Sequence, residues 1–69
     1  MSSIGMRLKE ERERLEMTQV EMARVTGITR VSQQNYENNR RLPDAGYLGS
    51  LHRIGVDILY VIAGERSRE

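Results

Sequence analysis

Two helix starts with a glycine between them, at Thr18 and Thr29 around Gly27, constrain this chain more than any other feature. Thr18 has the side chain to cap a helix N-terminus, and Glu21 stands three residues later to close a capping box. Met17 and Met22 flank that cap at the spacing of a hydrophobic staple. The helix so begun covers residues 19–25, because Gly27 takes the left-handed conformation that ends a helix. Thr29 then caps another helix through Arg30, Val31, Ser32, Gln33, Gln34, Asn35, Tyr36 and Glu37. Two short helices joined by a tight turn leave little choice of topology.

The flanking sequence adds three more helices. Ile4, Leu8 and Leu15 recur at helical spacing and predict a first helix over residues 4–15, with Gly5 weakening its start. Asn38 and Asn39 tolerate the left-handed conformation, and Arg40-Arg41-Leu42-Pro43 reads as a loop. Asp44 caps a fourth helix whose buried side carries Leu48, Leu51 and Ile54 and which stops near Gly55. Asp57 caps a fifth, with Val56 and Val61 as a second staple and Gly64 beyond its end. Residues 1–69 therefore form one all-α domain of five helices, with residues 64–69 as a disordered tail. At 69 residues such a domain buries only ~60% of its unfolded surface. It has no cysteine for a disulfide, so packing or oligomerisation must stabilise it.

The third helix is short of apolar side chains. It can bury a narrow stripe of Tyr36 with part of Gln33, which leaves amides and an arginine facing outward. The net charge is only +1, but it is unevenly placed. From Met22 to Leu42, Arg24, Arg30, Arg40 and Arg41 face only Glu37, giving +3, whereas each flank carries −1. A local positive patch attracts phosphates even at low net charge. Two short helices around a glycine turn, the second presenting arginine and amides, have helix-turn-helix geometry. A major groove about 12 Å wide admits one helix, and its base edges match Arg, Gln and Asn in bidentate fashion.

Arg7-Leu8-Lys9, Met17-Thr18-Gln19-Val20-Glu21-Met22-Ala23, Gly27-Ile28-Thr29, Tyr36-Glu37-Asn38, Arg40-Arg41, Pro43 and Gly55-Val56-Asp57-Ile58-Leu59-Tyr60-Val61 form a pattern that spans nearly the whole chain. In these residues the chain resembles the lambda-repressor-like helix-turn-helix proteins, the Xre or phage repressor family. The stretch from Asp57 to Gly64 is most similar to repressors and Cro-like regulators of prophages. The resemblance implies a compact five-helix fold and a regulator of transcription that binds a double-stranded DNA operator in the cytoplasm of a bacterium or phage-infected host. Thr29, Arg30, Val31, Gln34 and Asn35 would then reach bases or the adjacent backbone, and Gln19, Asn38, Arg40 and Arg41 would hold phosphates. Gln19 would also brace the reading helix. Two positions depart from the family: Gln33 stands where Ile or Val is more common, and Asn39 where Gly is.

Arg12 lies at the edge of the first helix's apolar stripe, where a guanidinium is costly unless paired, and Glu37 is its candidate partner in a structural salt bridge. The run Ile58-Leu59-Tyr60-Val61-Ile62-Ala63 is apolar around its full helical circumference. One small domain cannot cover it on every side, so Ile58, Leu59, Tyr60 and Ile62 are assigned to a homodimer interface. As a strand, the same run would leave an edge that also needs a partner. At six residues it is too short to cross a bilayer, which takes ~20. No signal peptide opens the chain.

The remaining residues have ordinary readings. Met6, Met17 and Met22 are core or staple residues, His52 is a helix-surface residue, and Glu10, Glu11 and Glu13 form a solvated face paired with Arg7, Lys9 and Arg14. With no cysteine and one histidine, no metal site is expected. No nucleophile with a base and no glycine-rich phosphate loop is present, so no catalytic residue and no cofactor is assigned. Two alternatives use the same fold: the antitoxin half of a toxin–antitoxin pair, with a toxin as protein partner, and a helical interaction adaptor that binds no DNA.

Overall fold

A computed structural model describes residues 2–67. Its five helices are α1 (Ile4–Arg14), α2 (Gln19–Thr26), α3 (Arg30–Glu37), α4 (Ala45–Arg53) and α5 (Ile58–Ala63). No strand occurs among the described residues, so the run 58–63 is a helix. Every helix begins at a side-chain cap: Ser3, Thr18, Thr29, Asp44 and Asp57 each accept a hydrogen bond from a backbone N–H in the first turn. At α2 the capping box is complete, because the Glu21 carboxylate also accepts from the Thr18 N–H at 2.9 Å. Gly27 and Gly64 are left-handed where α2 and α5 stop.

Leu8, Met22, Tyr36, Tyr47, Leu51, Val56 and Val61 form the core, with Ile4, Leu15, Met17, Ile28, Leu48, Ile54 and Ile58 packed around it. Each large core side chain contributes roughly 1.5 to 3 kcal/mol by leaving water. Both expected staples place their inner residue, Met22 and Val61, fully inside. Met6 does not join them. It is 56% exposed, because it lies on the side of α1 away from the buried Gly5, Leu8 and Glu11. On α4 the aromatic Tyr47 takes a core place alongside Leu51, while Leu48 and Ile54 are only half-buried.

Gly5, expected to weaken α1, is instead what lets α1 meet α3. A Cβ there would lie 2.2 Å from the Glu37 carbonyl oxygen and 2.8 Å from that of Tyr36. The Gly5 N–H donates to Asn39 Oδ1 at 2.9 Å, and the Asn39 amide donates to Ser3 Oγ at 2.9 Å. Asn39 has φ +61, so it serves as the left-handed residue after α3, whereas Asn38 stays right-handed at φ −92.

The acidic face of α1 and the C-terminal segment both differ from the sequence expectation. Glu11 is fully buried rather than solvated. Its carboxylate accepts from Arg14 Nε and Nη2, from Arg66 Nη1 and from the Asp57 N–H, all between 2.8 and 2.9 Å. Arg7 pairs with no acid there; it donates to the Val61 and Ile62 carbonyls at the end of α5. Residues 64–67, read as part of a disordered tail, are held. Arg66 reaches Glu11 and lies over the Tyr60 ring at 3.7 Å, and the Ser67 N–H and hydroxyl donate to Asp57. Residues 68 and 69 lie outside the described residues.

This arrangement makes stability depend on acid titration. Hydrogen bonds from Arg14 hold the Glu11 carboxyl far below its ordinary 4.5, at about 2, and those from Arg66 and the Asp57 N–H act the same way. A lowered folded-state pKa stabilises the fold above the unfolded value, and that stabilisation is lost as pH falls through the folded one. The melting temperature is therefore expected to drop as pH falls from 4.5 towards 2, and Glu11→Gln should make that drop shallower. Equal acid slopes for the two proteins in thermal melts would contradict this role for Glu11.

Candidate nucleic-acid interface

The two sides of α3 have opposite environments. On the inner side Gln33 and Tyr36 are buried, and Glu37 is 7% exposed. The Glu37 carboxylate accepts from Arg12 Nε at 2.7 Å and Arg12 Nη2 at 3.0 Å, a bidentate pair with only 11% of the arginine side chain exposed. It also accepts from Gln33 Nε2 at 2.8 Å and Gln19 Nε2 at 3.3 Å. Burial pushes the Glu37 pKa up, but the hydrogen bonds from Arg12, Gln33 and Gln19 outweigh it and hold the carboxyl below the usual range. Arg12 Nη1 also donates to the Met17 carbonyl at 2.9 Å, so one guanidinium ties α1, the α1–α2 turn and α3 together.

Gln33 fits the slot where an aliphatic residue is commoner because its polar atoms are met. Its Oε1 accepts from the Tyr47 hydroxyl, and its Nε2 donates to Glu37 and lies 3.3 Å from Met22 Sδ. Among the described residues no buried side-chain nitrogen or oxygen lacks a partner. Tyr47 was not singled out from sequence. The only signal was indirect: a buried glutamine requires a donor, and tyrosine is a natural one. Burial pushes the Tyr47 phenol pKa up, so its hydroxyl stays protonated and able to donate.

The outer side of α3 faces solvent. Arg30 and Val31 are exposed, Val31 at 62%, and Gln34 and Asn35 are half-buried. Among the described residues, the side chains of Arg30, Gln34 and Asn35 make no hydrogen bond to protein. Thr29 is exposed beside them, but its hydroxyl is engaged: it accepts from the Ser32 N–H and donates to Ser32 Oγ, both at 3.0 Å. Thr29 is thus fixed as the cap of α3.

Two further groups flank this face. Gln19, half-buried at the start of α2, keeps its carbonyl oxygen and one N–H beyond its bond to Glu37. After α3, Asn38, Arg40 and Arg41 are all exposed, and the Arg40 N–H donates to the Asn35 carbonyl at 2.9 Å. The Arg41 guanidinium lies 5.0 Å from the centre of the Tyr36 ring, a cation–π contact. Glu37, the one acid in this stretch, is neutralised by Arg12, so Arg24, Arg30, Arg40 and Arg41 dominate the local field.

The four residues assigned to a dimer interface do not form one free face. Leu59 and Ile62 are 44% and 40% exposed. Ile58 packs against the core, and Tyr60 donates its hydroxyl to Glu10 at 2.7 Å beneath Arg66. No helix among the described residues is long and apolar enough to cross a membrane, and no cluster of potential metal ligands occurs among them.

A family model described as helix-turn-helix matches residues 8–54, from the middle of α1 to the end of α4. No curated protein matches the chain. Among solved structures, the fold is similar to the crystal structure of the P22 c2 repressor protein in complex with synthetic operator 9T. There the TM-score is 0.84 and the identity 20%, over 94% of this chain and 100% of that one. It is also similar to the solution structure of the DNA-binding domain of the P22 c2 repressor, with a TM-score of 0.82 and 20% identity over 99% of this chain and 91% of that one. At that identity the likeness establishes the fold. With the family pattern spanning more than half of its length, the chain belongs to the helix-turn-helix family.

Proposed function

We propose that this protein is a sequence-specific, double-stranded DNA-binding regulator of transcription, with α3 lying in the major groove. The observation that carries the reading is the contrast across α3. Its inner side is pinned by a satisfied buried network, while Arg30, Gln34 and Asn35 on the outer side have no protein partner among the described residues. A helix held that firmly with its hydrogen-bonding groups left to solvent is organised for an external polar surface. Arg30, Gln34 and Asn35 take base edges, Val31 meets a thymine methyl, and Thr29 sits at the rim against the adjacent backbone. Gln19, Asn38, Arg40 and Arg41 hold phosphates. The repressor of similar fold that was crystallised with an operator supports the same reading.

The protein acts in the cytoplasm by occupying a promoter, without catalysis, metal or cofactor. A homodimer contacting through Leu59 and Ile62 would place two reading helices about 34 to 36 Å apart, one turn of DNA. The adaptor alternative needs the outer side of α3 covered by protein, and no specific observation favours the antitoxin.

Arg30→Ala is expected to cost ~1 to 3 kcal/mol on the preferred site and to relax base preference. Arg41→Ala should weaken all sequences alike and reduce the salt slope by about one unit. Titrations of both variants on preferred and random duplexes over a salt series check this, and identical behaviour of the two would contradict the assigned roles.

A further inference from the structure

We infer that Tyr47, on α4 and away from the outer side of α3, is a positioning residue for base reading, acting through its hydroxyl on Gln33. The inference rests on the function proposed above. Among the described residues two buried side chains of α3 hydrogen-bond towards α4: Gln33 accepts from the Tyr47 hydroxyl, and Tyr36 donates to the α4 cap Asp44 at a longer 3.5 Å. Because the hydroxyl occupies Gln33 Oε1, the Gln33 amide nitrogen is turned towards Glu37, where it donates at 2.8 Å. That fixes the glutamine in one orientation and, with the Arg12–Glu37 pair and the Tyr36–Tyr47 stack, sets the rotation of α3 about its axis. Gln34 follows Gln33 directly, and Arg30 precedes it by one helical turn. A small rotation at Gln33 therefore swings both across the groove, where bidentate pairing tolerates little displacement.

The ring of Tyr47 has a separate task. It stacks on Tyr36 at 4.4 Å with an 11° interplanar angle, and Arg41 lies over Tyr36. Removing only the hydroxyl leaves that stack, and with it the seat of Arg41, in place. The two contributions are therefore separable by experiment.

In Tyr47→Phe, the ratio of affinities for the preferred duplex and for a duplex altered at the bases facing α3 should fall about tenfold, the scale of one bidentate contact. The salt slope should stay as in the parent protein, since no phosphate contact is lost. The variant also leaves Gln33 Oε1 buried without a donor, which lowers stability. The double variant Tyr47→Phe/Gln33→Leu removes the unpaired oxygen but also the amide that donates to Glu37, so it should recover part of the melting temperature while keeping the reduced discrimination. Recovery of discrimination along with stability would show that the pair only stabilises the fold and would overturn the inference. So would unchanged discrimination, or a lowered salt slope, in Tyr47→Phe. If the parent protein itself selects no DNA sequence, the proposed function fails and the inference falls with it; if it does select one and the variants discriminate like the parent, the inference alone fails.

Discussion

Arg12→Ala is expected to destabilise the protein by ~3 kcal/mol or more, because it leaves the Glu37 carboxylate buried with only two amides to face it. At roughly 4 to 8 °C per kcal/mol for a domain of this size, the melting temperature should fall by ~12 °C or more. Most of that cost is the unpaired acid rather than the lost attraction, which gives the prediction a pH signature. Without Arg12, burial dominates and the Glu37 pKa rises above its unfolded value. The variant then gains stability as pH falls and the carboxyl takes up a proton. The gap between parent and variant should be narrower near pH 4 than at pH 7. Replacing both partners together, as in Arg12→Leu/Glu37→Leu, should cost less than Arg12→Ala alone. A melting temperature unchanged by Arg12→Ala would contradict the structural role of the bridge.

Gly5→Ala should have an effect of similar size for a steric reason. The new methyl would lie 2.2 Å from a backbone oxygen of α3, and no side chain can move aside to relieve it. The N-terminal turn of α1 must withdraw, which lengthens the hydrogen bond from the Gly5 N–H to Asn39 and opens the end of α3. Overpacking of this kind costs about 3 kcal/mol. The gain from replacing a helical glycine by alanine, roughly 0.5 to 1 kcal/mol, does not offset it. Chemical denaturation of parent and variant measures the difference. A variant as stable as the parent would mean that α1 and α3 do not approach as closely as described.

The Arg12–Glu37 bridge is legible in the sequence, whereas Gly5 marks the limit of what the sequence discloses. Helix boundaries follow from local chemistry: Thr18 with Glu21, Thr29, Asp44 and Asp57 are caps that act within one turn, so α3 begins and ends where the sequence places it. Gly5 looks like a defect until the α3 carbonyls lie against it. Glu11 looks like part of a solvated acidic face because, of the groups that meet its carboxylate, only Arg14 is close in sequence, while Asp57 lies 46 residues and Arg66 55 residues later. Tyr47 is unremarkable until it meets a glutamine 14 positions earlier. In each case the information sits in a tertiary partner rather than in spacing. The outer face of α3 is legible for the opposite reason: Arg30, Val31, Gln34 and Asn35 have few internal partners, so their chemistry is visible without the fold. Tyr60 and Ile58 show that an all-apolar helix need not be free on every side, since α1 and the C-terminal segment cover part of it.

Selection of bound fragments from a pool of random duplexes tests most directly whether the outer side of α3 reads bases. Enrichment of two related half-sites in inverted orientation, with centres about 10 base pairs apart, is the expected result. Recovery of a pool no different from the input, at a salt concentration where the protein still binds DNA, would contradict it.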